Sequence, residues 1–304
     1  MYFVKRLLFL VPLLLVISML AFGLMHLARG GPFDKERKPA SPDIERNLQA
    51  KYHLDEPLWR QYGRYIGGVM VGDFGPSLKY RNHTVTDIIK QALPVSLTLG
   101  MLAFALALVL GIPLGFITAV RRGEWIDYGG SVLALLAVCI PGFVVGPVLV
   151  TVFAIHWRWF PVALWESPLH AVLPVTALGL FYAGRIARLM REGMIATLQS
   201  EFITAARAKG LSESAILIKH AFRLAVLPVV SYSGPLLADL LTGSFVVENI
   251  FQIPGLGVFF VNSMLNRDYP LGWGLVLLYA ALLLGLNLMV DLVYGFLDPR
   301  VKFE

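Results

Sequence analysis

Long apolar segments alternate with shorter polar ones along most of this sequence. Six segments are apolar over about 20 residues or more, the length that an α-helix needs to cross the hydrocarbon core of a bilayer. They cover residues 7–28, 92–120, 128–155, 169–189, 227–247 and 269–290. The pattern predicts an all-α integral membrane protein with six transmembrane helices.

Two of these segments contain residues that interrupt a simple apolar helix. The third carries Pro141, Gly142, Gly146 and Pro147, and the fifth carries Asp239 near its middle. Helix-breaking residues are tolerated in membrane proteins because neighbouring helices satisfy the freed backbone groups. A carboxylate within a span usually faces the bundle interior or an aqueous cavity. Asp239 is therefore a candidate for a transport site, although pairing with a polar group on a neighbouring helix explains it equally well.

The composition agrees with a membrane protein. Hydrophobic residues make up 57% of the 304-residue chain and charged residues 15%, whereas soluble domains carry about 25% charged residues. The first apolar segment follows Lys5 and Arg6 and is longer than the apolar part of a signal peptide, so we interpret it as a retained anchor. The single cysteine, Cys139, excludes an internal disulfide framework.

The positions of the basic residues predict the topology. Six spans place both termini on one side, and basic residues concentrate in the segments that are then cytoplasmic. These are Lys5, Arg6, Arg121, Arg122, the basic residues from Arg185 to Arg223, Arg300 and Lys302, against Arg158 and Arg267 in the short outer loops. Both termini are predicted to be cytoplasmic. The net charge of +6 is thus explained by topology, and no nucleic-acid partner is expected.

The predicted organisation has four parts. These are an N-terminal transmembrane helix (1–28), an extracytoplasmic segment (29–91), a core of five transmembrane helices (92–295) with a cytoplasmic loop (193–226), and a cytoplasmic tail (296–304). Within the extracytoplasmic segment, residues 43–70 have helical spacing, and Asp43 is placed to cap that helix. Residues 72–80, GDFGPSLKY, have the chemistry of a loop.

The cytoplasmic stretch from Gln199 to Pro228 contains two helix signals separated by a glycine. Alanines favour a first short helix, which a glycine at position 210 would end. Ser212 is placed to cap a second helix, with Glu213 in its first turn. We expect a compact surface element between two spans.

Motifs for catalysis by this chain alone are absent from the sequence. A phosphate-binding P-loop needs a Gly-Lys dipeptide, and the chain contains none. It contains neither the Gly-x-Ser-x-Gly turn of hydrolases nor a His-Glu-x-x-His pair. The six histidines are scattered among loops and span ends. We therefore expect no enzymatic activity, no cofactor and no metal site in this chain.

The cytoplasmic stretch resembles a known motif. Thr204-Ala205-Ala206, Gly210 and the later Leu227-Pro228 resemble the coupling loop of ABC-transporter permeases, although the usual glutamate is Thr204 here and the interval to the proline is longer. Small alanines allow close approach of a partner helix, and the glycine permits a turn. The resemblance implies contact with a cytoplasmic ATPase subunit through Glu201, Phe202, Thr204, Ala205, Ala206, Lys209, Gly210 and Leu211.

The resemblance extends over nearly the whole chain. GGPFDKER (30–37), AKYHLDEP (50–57), PVSLTLG (94–100) and LNRDYPL (265–271) resemble the B-type permease subunits of bacterial oligopeptide ABC importers. This implies a type I importer fold in the inner membrane, a second homologous permease and an extracytoplasmic peptide-binding protein. It also implies two ATPase subunits, which would bind ATP and Mg. The long segment after the first span favours oligopeptide over dipeptide cargo.

The resemblance also directs attention to the transport pathway. Candidates for contact with the cargo are Asp239, Ser244 and Asn287, and candidates for an outer gate are Pro254, Gly255 and Gly257 in IPGLG. A structural role for Asn287 and a plain turn at IPGLG are the simpler alternatives. Other cargoes remain open, namely a dipeptide, haem, a nickel complex or an antimicrobial peptide. An ion-coupled secondary transporter, with Asp239 as the coupling site, is the less favoured class.

Overall fold

The computed structural model describes residues 2–27, 55–80, 82–241 and 245–297. Twelve helices are labelled here within those residues. They are α1 (Tyr2–Leu27), α2 (Leu58–Met70), α3 (Val85–Val120), α4 (Trp125–Cys139), α5 (Gly142–Leu149), α6 (Pro168–Leu198), α7 (Glu201–Ala208), α8 (Glu213–Ala215, Ile216–Ala221 and Phe222–Ala225 in succession), α9 (Leu227–Leu241), α10 (Phe245–Ile250), α11 (Leu256–Asn266) and α12 (Tyr269–Leu297).

Helix dominates the part of the chain that the structure describes. The only extended pairing there is an isolated bridge between Pro76 and Thr84. Five helical segments are long and apolar enough to cross a membrane, and a bent helix pair raises the number to six if it is one span. The all-α membrane fold is confirmed.

The helix α3 begins at Val85, seven residues before the predicted start of the second span. The amide of Asp87 donates to the Thr84 hydroxyl (3.1 Å), and the amide of Thr84 donates to the Asp87 carboxylate (3.2 Å). This reciprocal capping starts the helix within the polar residues that precede the apolar run. Similarly, α6 continues to Leu198, past the predicted end of the fourth span at residue 189, because buried Met190 and Met194 pack its last turns.

The third apolar segment is not one straight helix. It consists of α4 and α5, the latter continuing as a π-helical turn (Val150–His156), and the two directions differ by 100°. The break lies at Ile140, whose extended backbone (φ −86°, ψ 116°) is the conformation favoured before a proline. Pro141 thus bends this segment sharply.

Two polar regions were predicted only in part. The loop at residues 72–80 is confirmed, and α2 forms within the predicted helix, but residues 43–54, with the proposed Asp43 cap, lie outside the described residues. The interval between the fifth and sixth predicted spans, residues 248–268, was not predicted to be helical. It contains α11, whose Leu256 is fully buried, because its apolar residues pack into a core.

The first of two compact units comprises the described residues of Met1–Val95 and Gly255–Leu282. Its cores combine the starts of α3 and α12 with α11 and, separately, α1 with α12 and Leu78. Asp268 is 1% exposed and accepts hydrogen bonds from the Ser77 hydroxyl and the Leu78 amide. The loop before α3 is thereby fixed to the start of α12.

The second unit comprises the described residues of Ser96–Pro254 and Leu283–Glu304, and α6 lies at its centre. Glycines let neighbouring helices approach the α6 backbone closely. A Cβ on Gly111 of α3 would lie 2.7 Å from the carbonyl oxygen of Ala183, and one on Gly184 would collide with the carbonyl of Ala134 in α4. The backbones of α3 and α4 therefore lie in close contact with the backbone of α6.

Candidate functional site

The loop between α6 and α9, residues 199–226, forms two helical pieces around a glycine, as the sequence predicts, whereas residues 193–198 of the predicted loop belong to α6. α7 ends at Ala208, and Gly210 adopts a left-handed backbone (φ +77°). Ser212 occupies the position before α8, but its side chain makes no capping hydrogen bond, so that detail of the prediction is wrong. Its hydroxyl is exposed to solvent, and an ion pair from Glu213 holds the first turn instead.

That ion pair joins α7 to α8. The Arg207 guanidinium donates to both carboxylate oxygens of Glu213, at 2.7 and 3.3 Å. These hydrogen bonds raise the pKa of Arg207 and lower the pKa of Glu213. The pair is intact at neutral pH and is lost as the pH falls through the lowered pKa of Glu213. Both side chains are about half exposed, so the pair orients the turn more than it stabilises the fold.

α7 has one buried face and one exposed face. Ile203 and Ala206 are buried against the chain's own structure. Ala206 is thus the one predicted coupling residue that is buried. The remaining predicted coupling residues are exposed, and they are Glu201, Phe202, Thr204, Ala205, Lys209, Gly210 and Leu211. Phe202 and Leu211 are 41% and 43% exposed. Both lie outside the apolar spans, so contact with lipid does not explain the exposure of these apolar side chains. Exposed apolar side chains beside charged ones are typical of a protein-docking surface.

The loop is attached to α6 through a glycine. A Cβ on Gly193 would collide with the carbonyl of Ala225, at the end of α8. Met194, which follows Gly193 on α6, and Ile216, which lies earlier in α8, are both fully buried. The loop is thus packed onto the end of α6.

Asp239 lies in a polar cluster between α6 and α9. The Tyr182 hydroxyl donates a hydrogen bond to its carboxylate, and one turn further along α6 the Arg185 guanidinium donates to the Tyr232 hydroxyl (3.1 Å). Arg185 also lies over the ring of Phe181, 4.6 Å from its centroid. Tyr182 and Arg185 share one face of α6, and Tyr232 and Asp239, seven apart, share one face of α9.

The carboxylate also lines a cavity of about 350 Å³. The cavity opens where α4 and α5 diverge, and Pro141, Gly142 and Phe143 contribute to it together with Tyr182 and Asp239. Asp239 therefore combines both predicted properties: it pairs with a neighbouring helix, and it is exposed at a cavity.

The remaining pathway candidates are placed less directly. Ser244 lies outside the described residues. Asn287 lies in α12, is partly buried and is not among the described residues that line this cavity. Sequence reasoning missed Tyr182 and Tyr232, whose only signal was their helical spacing from Arg185 and Asp239.

The three gate candidates fall at the turn before α11. Pro254 is exposed, Gly255 is the residue before the helix, and Gly257 is buried in its first turn. The turn begins at α10, where the Ile253 amide donates to the carbonyl of Glu248 (2.8 Å). The Glu248 carboxylate is fully buried and accepts a hydrogen bond from the Ser96 hydroxyl (2.8 Å), a contact that the sequence did not predict.

The arrangement of helices is that of ABC-transporter permeases. The MetNI methionine ABC transporter, solved in inward-facing conformations, matches with a TM-score of 0.57 and 17% identity, over 69% of this chain and 96% of that chain. A solved amino acid ABC transporter matches with a TM-score of 0.52 and 16% identity, over 71% and 95%. At this identity the likeness shows the fold alone, which is the predicted type I importer permease fold.

The family follows from the sequence. This chain belongs to the family described as the binding-protein-dependent transport system inner membrane component, which matches residues 111–303. It is 45% identical to the oligopeptide transport system permease protein OppB of Haemophilus influenzae, over 98% of each chain. It is 44% identical to the dipeptide transport system permease protein DppB of Bacillus subtilis, over 100% of this chain and 98% of the relative. It is 42% identical to OppB of Escherichia coli K12, over 99% of each. The chain is an integral membrane permease component.

Proposed function

We propose that this chain is the transmembrane subunit of an ATP-driven importer of oligopeptides and forms half of its translocation pathway. The observation that carries the proposal is the 45% identity to an oligopeptide permease over almost the entire chain. The other half would be a second homologous permease. An extracytoplasmic binding protein would deliver the peptide.

Peptide length is the least constrained part of the proposal. An oligopeptide and a dipeptide permease have nearly equal identity to this chain, 45% and 44%. Both align over almost their full lengths, so the long segment after the first span does not separate the two classes, contrary to the expectation from the sequence. Two of these three relatives, the OppB proteins, are named as oligopeptide permeases, which supports an oligopeptide cargo.

The energy for transport would come from two separate ATPase subunits that bind ATP and Mg. Their proposed docking surface is the exposed face of α7 with its following turn, from Glu201 to Leu211. Phe202 and Leu211 would supply apolar contacts, and Glu201 and Lys209 would supply charged contacts at the rim. Movement of the ATPases would displace the loop and, through α6, the helices that it contacts.

The pathway is proposed to pass the cavity at Asp239. Its carboxylate accepts a hydrogen bond from Tyr182, and Asp239 lines the cavity. It would attract the amino terminus of a peptide. The turn containing Pro254, Gly255 and Gly257 is proposed as an outer gate. Both termini would lie in the cytoplasm of a bacterial cell, and the protein would reside in its cytoplasmic membrane.

Reconstitution tests the proposal. The chain is placed in liposomes with its second permease, its ATPase subunits and its binding protein. Uptake of labelled peptides of about 2–8 residues is measured, a range that separates dipeptide from oligopeptide cargo. We expect uptake that requires ATP, Mg and the binding protein, and that favours the longer peptides. Uptake by this chain alone under a proton or sodium gradient would contradict the proposal.

A further inference from the structure

An ion pair outside the proposed pathway joins α4 to α6. The Arg191 Nε donates to Asp127 Oδ1 (2.7 Å), and Arg191 Nη2 donates to Asp127 Oδ2 (2.9 Å). The Gly123 amide (3.0 Å) and the Ser131 hydroxyl (3.3 Å) complete the environment of this carboxylate. Asp127 is 4% exposed. The two-point geometry fixes the orientation of both side chains as well as their distance.

The position of Arg191 connects this pair to the cytoplasmic loop. Arg191 lies two residues before Gly193, and the carbonyl of Ala225 at the end of α8 packs directly against that glycine. The flanking Met190 and Met194 are fully buried, so this turn of α6 is packed on its other faces. One helical turn therefore carries the contact with the loop and the contact with α4.

The position of Asp127 connects the pair to the pathway. Asp127 lies in the first turn of α4, and the last residue of that helix is Cys139, about 18 Å away along the helix axis. The chain then bends at Pro141, and Pro141, Gly142 and Phe143 line the cavity at Asp239. α4 thus extends from the ion pair to the edge of this cavity.

Stability alone is a weak explanation for such a pair. A largely buried ion pair is often no more stabilising than apolar residues of similar size, because both charges lose their hydration. Its distinctive property is directional: it holds two helices in one register. Arg185, Arg188 and Arg191 form a basic stripe along α6. Arg188 is exposed and has no described ion pair or hydrogen bond, so the pair is specific to one arginine of this stripe.

We infer that Asp127 and Arg191 are positioning residues that transmit displacement of the cytoplasmic loop through α6 to α4, and so to the cavity edge. This inference rests on the proposed function, because it assumes that ATPase subunits move the loop. Breaking the pair leaves the docking face of α7 intact. ATP hydrolysis then continues, while the opening at α5 no longer follows it.

The test uses the reconstituted complex and compares three variants with the wild type. They are Asp127→Asn, Arg191→Gln and the double variant, with Arg188→Gln as a matched control on the same helix. We expect each single variant to lower peptide uptake per ATP hydrolysed by about tenfold, a typical size for coupling between two sites. The double variant is expected to be no worse than either single one, because residues that act as a pair are non-additive.

A second measurement reads the movement directly. Cys139 is exposed at the end of α4 and is the chain's single cysteine, so a fluorescent or nitroxide label placed there reports on that helix when the partner subunits are cysteine-free. ATP and Mg should change the signal in the wild type and in Arg188→Gln. The change should be absent in Asp127→Asn, although this variant still assembles and hydrolyses ATP.

Several results would overturn the inference. Uptake and hydrolysis that fall in proportion, or a double variant whose loss is the product of the single losses, would show a structural role. A wild-type label that ignores ATP while uptake proceeds would show that α4 does not move with the loop. Failure of the proposed function looks different, because the wild-type complex would then show no ATP-dependent uptake at all.

Discussion

The carboxylate of Asp239 and the hydroxyl of Tyr182 form the contact from which the pathway proposal starts. Tyr182 donates to this carboxylate from α6, and Asp239 also lines the cavity beside α5. A carboxylate at a cavity between helices can attract a cation. This is the property that an ammonium group of a peptide would use.

Replacing Asp239 tests that property. In Asp239→Asn the shape is kept and the charge is lost, so we expect uptake of peptides with a free amino terminus to fall by about tenfold, the effect of losing one charge-assisted hydrogen bond. Uptake is measured in the reconstituted complex with one binding protein throughout.

N-acetylated peptides provide the control for Asp239. They lack the ammonium group, so their uptake, relative to the wild type, should change little in the variant. Equal losses for free and acetylated peptides would assign Asp239 a structural role with Tyr182.

Residue pairing is the part of the site that the sequence predicts least. Asp239 is identifiable because a carboxylate within an apolar segment is unusual. Its partner Tyr182 is 57 positions away, and Arg191, which the basic stripe led us to assign to topology, is 64 positions from Asp127. No local pattern encodes such contacts, because they depend on how the helices pack.

At the scale of elements, Gly210 shows why a glycine is required between α7 and α8. A Cβ there would meet nothing within 4 Å, so space does not exclude a side chain. The backbone does, because φ is +77° and a left-handed conformation costs other residues about 1–2 kcal/mol. The turn is therefore constrained by conformation rather than by packing.

Substitution of Gly210 should accordingly affect coupling. In Gly210→Val the turn shifts to relieve strain, and we expect ATP hydrolysis to persist while uptake per ATP falls about fivefold or more. The measurement is the ratio of the two rates, with assembly checked by co-purification.

Asparagine and a second glycine serve as controls for this position. Gly210→Asn should retain most of the coupling, since asparagine tolerates the left-handed region. Gly129→Ala, in a helix with open space around it, should be silent. Normal coupling in Gly210→Val would refute the role of the turn.

Some element boundaries are encoded locally in the sequence, whereas others depend on packing. Thr84 and Asp87 have the spacing of a capping box, so the early start of α3 was available in the sequence. The length of α6 was not, because its last turns are fixed by burial of Met190 and Met194. The glycines and prolines of the third segment indicated a break but not its 100° angle.

For the whole molecule, the distribution of basic residues makes a prediction that the helices alone do not test. Truncated chains are fused to alkaline phosphatase, which is active only outside the cytoplasm, or to green fluorescent protein. Fusions after Val71 should have phosphatase activity, whereas those after Gly123 and after Glu304 should be fluorescent and inactive. The reverse pattern would contradict the predicted topology.

The number and type of spans follow from the sequence because a bilayer imposes a simple length requirement on apolar helices. The arrangement of those helices does not, since contacts such as that of Gly193 with Ala225 depend on close backbone approach. The proposal of a coupling loop came from its motif, while its exposed and buried faces required the structure.

The bend at Pro141 has a consequence for biogenesis. α4 has 15 residues and is therefore about 22 Å long, which is shorter than the roughly 30 Å hydrocarbon core. A nascent chain that has emerged only as far as Cys139 cannot yet anchor this segment across the bilayer. We therefore expect α4 to be retained by the insertion machinery until α5 and the following turn arrive, so that the two helices enter the membrane as a pair.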